Sequence, residues 1–248
     1  MRKKIVAGNW KMNKTSIEAV NFVNELKEKV EGAEADVVVC PTAICLPAVV
    51  LAARGSNIKV GAQNIHWADN GAFTGEVSGE MLKEVGVDYV IIGHSERRQY
   101  FGETDETVNN RLKAAIKYDL KPIVCVGETL NERESGVTNT VLETQTTGAL
   151  KDISAEDASN LVIAYEPVWA IGTGKTASST DANDACKFIR GVVEKLYNKE
   201  VAENIRIQYG GSVKANNAHE LFTTSDIDGG LVGGASLKID EFSEIVKG

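Results

Sequence analysis

The chain has 248 residues, 43% hydrophobic and 25% charged, with 27 Lys+Arg against 35 Asp+Glu for a net charge of −8. It is long enough to bury a full core and ordinary in composition for a water-soluble globular protein. The acidic balance excludes a general basic surface for nucleic acid or an anionic membrane, so an anionic small molecule would have to be captured locally.

In chain order, short β-branched runs alternate with amphipathic stretches. Residues 4–9 form the first apolar run, and Asn9 and Lys11 stand at its end, two residues apart and on one side if the strand continues. A helical pattern over 17–30 follows, with Ala19, Val20, Phe22, Val23 and Leu26 on one face. Residues 36–40 and 58–63 are the next runs. The loop 63–78 is long for a connection and carries Asn70-Gly71-Ala72-Phe73-Thr74-Gly75, a stabilising turn on a surface loop or an interaction element.

The run 89–93 ends in Gly93-His94-Ser95-Glu96-Arg97, and 122–126 contains Cys125. Residues 161–165 end at Glu166, where Pro167 fixes the exit and an apolar segment leads to a glycine-rich turn. An acid placed there suits a base working under a lid, or an ordinary surface Glu beside a turn. A helical pattern over 181–197 carries Ala185, Phe188, Ile189, Val192, Val193 and Leu196. Runs 205–209 and 230–232 end in Gly210-Gly211-Ser212 and Gly233-Gly234.

Most of these runs are continuously apolar, the pattern of strands covered on both faces in a parallel sheet. Eight units in 248 residues come to about 31 each, the size of one βα unit, and no linker or low-complexity segment divides them. A single (β/α)₈ barrel domain over residues 1–248 fits best. A doubly wound open sheet is the alternative, but its glycine fingerprint after the first strand would fall on Gly8-Asn9-Trp10-Lys11, which has one glycine.

In a barrel the C-terminal strand ends converge on one face. Here that face would hold a cation (Lys11), an imidazole (His94), a carboxylate (Glu166) and glycine-rich turns after strands seven and eight, a common place for phosphate. A helix starting after His94 would disfavour the imidazolium, predicting a neutral ring. His66 in a polar loop and His219 in a helical pattern carry no such signal. Cys125 reads as buried packing rather than a nucleophile, and no metal-ligand spacing is present. Gly172-Thr173-Gly174-Lys175-Thr176 looks like the tail of a nucleotide-binding P-loop, but Trp169 stands where that motif needs glycine.

Met1-Arg2-Lys3-Lys4-Ile5-Val6 is too poor in apolar residues for a signal peptide, and no apolar run reaches about 18 residues. Cys40, Cys45, Cys125 and Cys186 form no C-x-x-C pair, which predicts free thiols in the cytoplasm. Asn13-Lys14-Thr15 is a glycosylation sequon by pattern alone.

Asn9-Trp10-Lys11, Gly93-His94-Ser95-Glu96-Arg97-Arg98, the segment from Ala164 to Gly174, Tyr209-Gly210-Gly211-Ser212-Val213 and Gly233-Gly234 closely resemble the triosephosphate isomerase family, in order and over essentially the whole chain. The resemblance implies interconversion of dihydroxyacetone phosphate and glyceraldehyde 3-phosphate without a cofactor. It implies Glu166 as general base, a neutral His94 as electrophile, Lys11 as the cation, Asn9 as a hydrogen-bond donor, and Glu96 paired with Lys11 or a nearby arginine. Phosphate would lie on N–H groups of Gly172, Ser212, Gly233 and Gly234.

The implied lid runs over 168–176, carrying Ala170, Ile171, Thr173 and Gly174, with hinges at Pro167-Val168-Trp169 and Lys175-Thr176-Ala177. In the family the loop bearing Phe73 and Thr74 inserts into a partner subunit, with Thr74 behind the partner's Asn9 and Lys11, so a homodimer is expected. Gly79 departs from the bulkier residue or Pro common there, which predicts a less fixed helix start. Another phosphate-binding barrel enzyme, or a non-catalytic binding barrel, would keep the glycine turns without needing Lys11, His94 and Glu166 together.

Overall fold

The computed structural model describes residues 2–171 and 177–248. Eight parallel strands close into a barrel in sequence order: β1 Ile5–Asn9, β2 Asp36–Cys40, β3 Ile58–Ala62, β4 Tyr89–Ile92, β5 Lys121–Val126, β6 Val162–Tyr165, β7 Arg206–Tyr209 and β8 Gly229–Val232. Closure is made by β1 pairing with β8, Ile5 opposite Gly229 through Gly8 opposite Val232. The bounds differ from the sequence expectation by a residue or so at each end.

Alternation explains the continuous apolar runs. Ile5, Ala7, Val38, Cys40, Tyr89, Ile91, Ile123, Cys125, Val162, Ala164 and Leu231 fill the barrel interior. Their neighbours Val6, Val37, Val39, Val60, Val90, Ile92, Val124, Ile163 and Ile207 face the outer helices in a second core. Both faces of the sheet are buried, so neither needs polar residues.

The helices are set by local chemistry. Thr15 and Glu18 cap the helix Ser16–Val30 reciprocally, and Ala19, Phe22, Val23, Leu26 and Val30 are its buried residues. Ser178 caps Ser179–Leu196 by accepting the Asp181 N–H at 3.0 Å. Leu196, expected on the buried face, is largely exposed because that helix ends there.

The ladder between β7 and β8 is thin, with one registered pair, Tyr209 opposite Gly230. A buried ionic cluster beneath it offsets this. Arg190 donates to Asp226 at 2.9 Å, to Asp228 at 2.8 Å, and to the carbonyls of Ala202 and Ile205 at 2.7 and 2.9 Å. Asp228 also accepts the Ile207 N–H of β7 at 2.9 Å, so it bridges helix, β7 and the turn into β8. Every donor around the buried carboxylate is used, which such a group requires.

The expectation of a loose helix start at Gly79 is corrected. Ser78 caps the helix Gly79–Val85, and a Cβ at Gly79 would overlap the Tyr118 ring. Tyr118 in turn donates its hydroxyl to Asp69 at 2.6 Å. The missing side chain lets Tyr118, the C-cap of the helix Asp105–Lys117, lock the long loop after β3.

Candidate active site

The barrel places β1, β4, β6, β7 and β8 so that their C-terminal ends meet. A cavity of about 360 Å³ is lined by Asn9, Lys11, His94 and Glu166, by Gly210, Gly211 and Ser212, and by Gly233 and Gly234. Asn9, Lys11, His94, Glu166, Ser212, Gly233 and Gly234 therefore share one chamber, and Glu96 meets Lys11 at its edge. Gly172, Thr173, Gly174, Lys175 and Thr176 lie outside the described residues.

Glu166 is buried at 2% exposure, immediately after β6. Its Oε1 is 2.9 Å from His94 Nε2, and its Oε2 accepts the Ser95 N–H at 2.9 Å. The Ser95 hydroxyl adds a longer bond to Oε1 at 3.4 Å. Gly127, after β5, must be glycine, because a Cβ there would collide with the Glu166 carbonyl. Burial pushes the Glu166 carboxyl up, but the charge of His94, its hydrogen bond, the Ser95 N–H and Lys11 outweigh burial and hold it below the ordinary value.

His94 occupies the N-cap of the helix Ser95–Phe101, and its Nδ1 accepts the Glu96 N–H at 3.2 Å. With Nδ1 an acceptor, these bonds assign the ring proton to Nε2, facing Glu166. That hydrogen bonding fits a neutral imidazole. The helix alone does not set its basicity, however. Burial pushes the imidazole down, but Glu166, with Glu96 further off, outweighs both burial and Lys11, and the pKa is raised. The carboxylate at 2.9 Å therefore acts against the depression expected from the helix.

Lys11 has φ +52°, an uncommon backbone for a side-chain-bearing residue. Two contacts hold it there. Asn9 accepts the Lys11 N–H at 3.0 Å, and Gln63, just past β3, donates to the carbonyls of Lys11 at 2.8 Å and Cys40 at 2.9 Å. The ammonium pairs with Glu96 at 2.6 Å, one of the two partners expected for that acid. Lys11 Cε comes within 3.7 Å of where a Gly233 side chain would begin, so the cation borders the glycine turn after β8.

The root of the expected lid is described through Ile171. Pro167 leads into a 3₁₀ turn Val168–Ala170, and Ala170 is buried. Glu128 organises it. This fully buried acid accepts from Trp169 Nε1 at 2.9 Å and from the Tyr165 hydroxyl at 3.1 Å, while its carbonyl accepts the Val168 N–H at 3.1 Å. Arg133 lies 3.5 Å from Glu128 and stacks 4.4 Å from the Trp169 ring.

The roles of Ser95, Gln63, Gly127 and Glu128 emerge only from the fold. Glu128 could have been found, since it stands past the end of a strand as Glu166 does. Ser95 lies within Gly93-His94-Ser95-Glu96-Arg97, where nothing local marks it as a partner of Glu166. Cys125 is confirmed as buried packing inside the barrel, and burial, with Glu166 adding, pushes its thiol well above the ordinary value. His66 is buried rather than in an open polar loop, ringed by Trp67 and Phe73 at 4.3 and 4.2 Å.

Phe73 is 44% exposed despite that contact, and Thr74 lines a second cavity of about 480 Å³ beside Asn9, Lys11, Gln63 and Glu96. Met12 and Phe101, 92% and 67% exposed, line the same cavity.

A family model described as triosephosphate isomerase matches residues 4–248. The chain is similar to the triosephosphate isomerase of Acetivibrio thermocellus, 64% identical over 246 residues covering 99% of this chain and 98% of that one. It is 59% identical over 246 residues to that of Clostridium botulinum strain Loch Maree and 57% identical over 246 residues to that of Alkaliphilus oremlandii. Each of those alignments covers 99% of both chains.

The His94–Glu166 contact predicts the sign of one substitution. Glu166→Gln removes the charge that raises the imidazole and leaves the opposing burial and Lys11, so the His94 pKa should fall. Histidine NMR titration of both proteins without substrate measures it. An unchanged or higher pKa in the variant would show that Glu166 does not govern the ring.

Proposed function

The chain belongs to the triosephosphate isomerase family and interconverts dihydroxyacetone phosphate and D-glyceraldehyde 3-phosphate, and from that premise we propose that Glu166 carries the proton between the two substrate carbons. The observation carrying this assignment is the buried Glu166 carboxylate against His94 Nε2, in a chamber shared with Lys11 and two glycine turns.

Abstracting a proton beside a carbonyl leaves negative charge on oxygen, so donors must stand where that charge develops. His94 Nε2–H and the Lys11 ammonium serve the two substrate oxygens, and Asn9 adds a hydrogen bond beside them. A substrate oxygen at His94 Nε2 competes with Glu166 for the same N–H. Losing that bond, and the bond from Ser95, raises the basicity of the carboxylate as it turns to the carbon. Glu96 acts through Lys11, directing the ammonium.

Phosphate lies at the turns carrying Ser212, Gly233 and Gly234, and the family pattern adds the N–H of Gly172. It is remote from the reacting carbons, so its binding energy is available to close the segment 168–176 over the site. Pro167, Val168 and Trp169, anchored on Glu128, form one hinge, and Lys175 and Thr176 lie in the other. Closure excludes water from base and enediolate.

The resident unit is one (β/α)₈ domain over residues 1–248, supported by the family match from residue 4 to the end. No helix among the described residues is long and apolar enough to cross a membrane. We assign the protein to the cytoplasm on its four buried, unpaired cysteines. Thiol titration of the denatured, unreduced protein should find all four, and fewer would contradict that setting.

It acts as a homodimer in this reading. The cavity between Thr74 and Lys11 opens toward exposed Met12 and Phe101, and the Phe73–Thr74 loop is the self-complementary element that would fill a second copy's cavity. Shortening the loop at residues 71–75 should give folded monomers that turn over poorly. Analytical ultracentrifugation showing wild-type monomers at assay concentration would end this reading.

Glu166→Gln should lower isomerisation by about 10²–10⁴-fold or more, as loss of a general base does. Inhibition by inorganic phosphate should stay near the wild-type level, because the substitution keeps the chamber's shape. A coupled assay with glyceraldehyde 3-phosphate, without metal or nucleotide, reads both. Near-normal turnover would remove Glu166 from its role.

A further inference from the structure

Among the described residues, four that are not glycine stand at positive φ: Lys11 (52°), Lys14 (70°), Asp119 (52°) and Asp152 (59°). Aspartate tolerates this region because its short polar side chain bonds locally. Lys11 is held there as the reaction's cation. Lys14 has neither excuse. A lysine at +70° persists only where its surroundings over-determine it, and glycine would take the conformation without strain.

What holds Lys14 is its side chain. The ammonium donates to the carbonyl of Leu237 at 3.3 Å, across 223 residues of sequence. It sits 4.3 Å from the centre of the Phe22 ring and 5.5 Å from that of Trp10, within cation–π range of both. Those rings meet edge to face at 5.1 Å and are buried, so they form a fixed platform. The backbone carbonyl of Lys14 accepts the Cys45 thiol at 3.6 Å. Burial pushes the Lys14 ammonium below the ordinary lysine value, with Glu18 opposing, as expected of a cation giving up water for these partners.

The ends of this bridge matter to the reaction. Trp10 lies in the chain between Asn9 and Lys11. Leu237 closes the 3₁₀ turn Gly234–Leu237, which begins at the glycine turn assigned to phosphate. In that turn Ser236 donates its N–H to Gly233 at 2.8 Å and its hydroxyl at 2.7 Å. A pull on Leu237 is therefore passed to Gly233 through a short, internally bonded segment. Lys11 and Gly233 face each other at the other end, where Lys11 Cε lies 3.7 Å from the place a Gly233 side chain would begin.

We propose that Lys14 is a positioning residue that clamps the loop after β1 to the turn after β8, and so sets the spacing between the Lys11 ammonium and the N–H groups of Gly233 and Gly234 that receive the substrate's phosphate. This rests on the reading of those glycines as the phosphate site. The clamp matches the two ends of one small substrate: the reacting oxygens at Lys11 and the phosphate at Gly233. Phosphate binding and its use in catalysis should depend on Lys14, while chemistry on a triose lacking phosphate should not.

Three variants test it: Lys14→Met keeps the stem without the charge, Lys14→Gly removes the clamp and the backbone strain together, and Lys14→Arg restores a cation that can donate and stack. Each is assayed with glyceraldehyde 3-phosphate, with glyceraldehyde, and for competitive inhibition by inorganic phosphate. Lys14→Met and Lys14→Gly should each raise the phosphate inhibition constant and lower kcat/KM for the phosphorylated substrate by about tenfold, the scale of a lost charge-assisted hydrogen bond. Their kcat/KM for glyceraldehyde should move less than about twofold, and Lys14→Arg should recover most of the loss. Loss in the strain-relieved Lys14→Gly separates the clamp from misfolding.

Unchanged phosphate inhibition in the Met and Gly variants would overturn the inference, as would an equal fall with both substrates, which marks a general structural role. If phosphate did not inhibit the wild-type enzyme at all, the phosphate reading of the glycine turns would fall, and the clamp with it. Inhibition of the wild type with no effect of the variants sinks the clamp alone.

Discussion

A carboxylate taken out of water must be balanced by groups that accept its charge, and the catalytic face of this protein is arranged around one such carboxylate. Glu166 is almost fully enclosed, and its oxygens face His94 Nε2 and the Ser95 N–H. Both partners sit at the start of the helix Ser95–Phe101. The same residues that keep the acid ionised also restrain its basicity. A base held this way becomes stronger only when a substrate draws His94 away and the carboxylate leaves Ser95. Burial makes the acid worth restraining, and the restraint ties its release to binding.

The barrel supplies the geometry cheaply. β4 and β6 both pair with β5, so His94 and Glu166 extend from strands two places apart and meet above β5. Gly127, at the end of β5, leaves the space that the Glu166 backbone fills. Lys11 arrives from β1 in a strained conformation that Asn9 and Gln63 enforce, bringing its ammonium between Glu96 and the glycine turn. Strain at Lys11 is sustained by the rigid strand ends on either side of it.

Strands could be read from the sequence because a parallel barrel buries both faces of each one, leaving continuous apolar runs such as Val37–Val38–Val39 and Val90–Ile91–Ile92. Their ends, and the chemistry on them, followed from the same pattern. Contacts between residues distant in sequence were not legible. Gln63 bonds Lys11 across 52 positions and Ser95 bonds Glu166 across 71, and neither partner has a local signature. Gly79 looked like a weakness until the Tyr118 ring occupied the space a side chain would need. The helix that starts just after His94 is legible locally, and its effect on the ring can be inferred only in isolation. Glu166, far away in the chain, adds an opposing field at the ring that no local pattern announces.

The central claim is that Glu166 raises His94 only while it is engaged with the ring, and that substrate leaves His94 a neutral donor. Nitrogen-15 NMR of the His94 ring tests this directly, with and without a phosphorylated mimic of the enediolate, at a pH near 6. The account predicts that the complex holds the neutral tautomer, with the proton on Nε2 and Nδ1 still accepting from the helix. An imidazolium in the complex, or a neutral ring protonated on Nδ1, would contradict it.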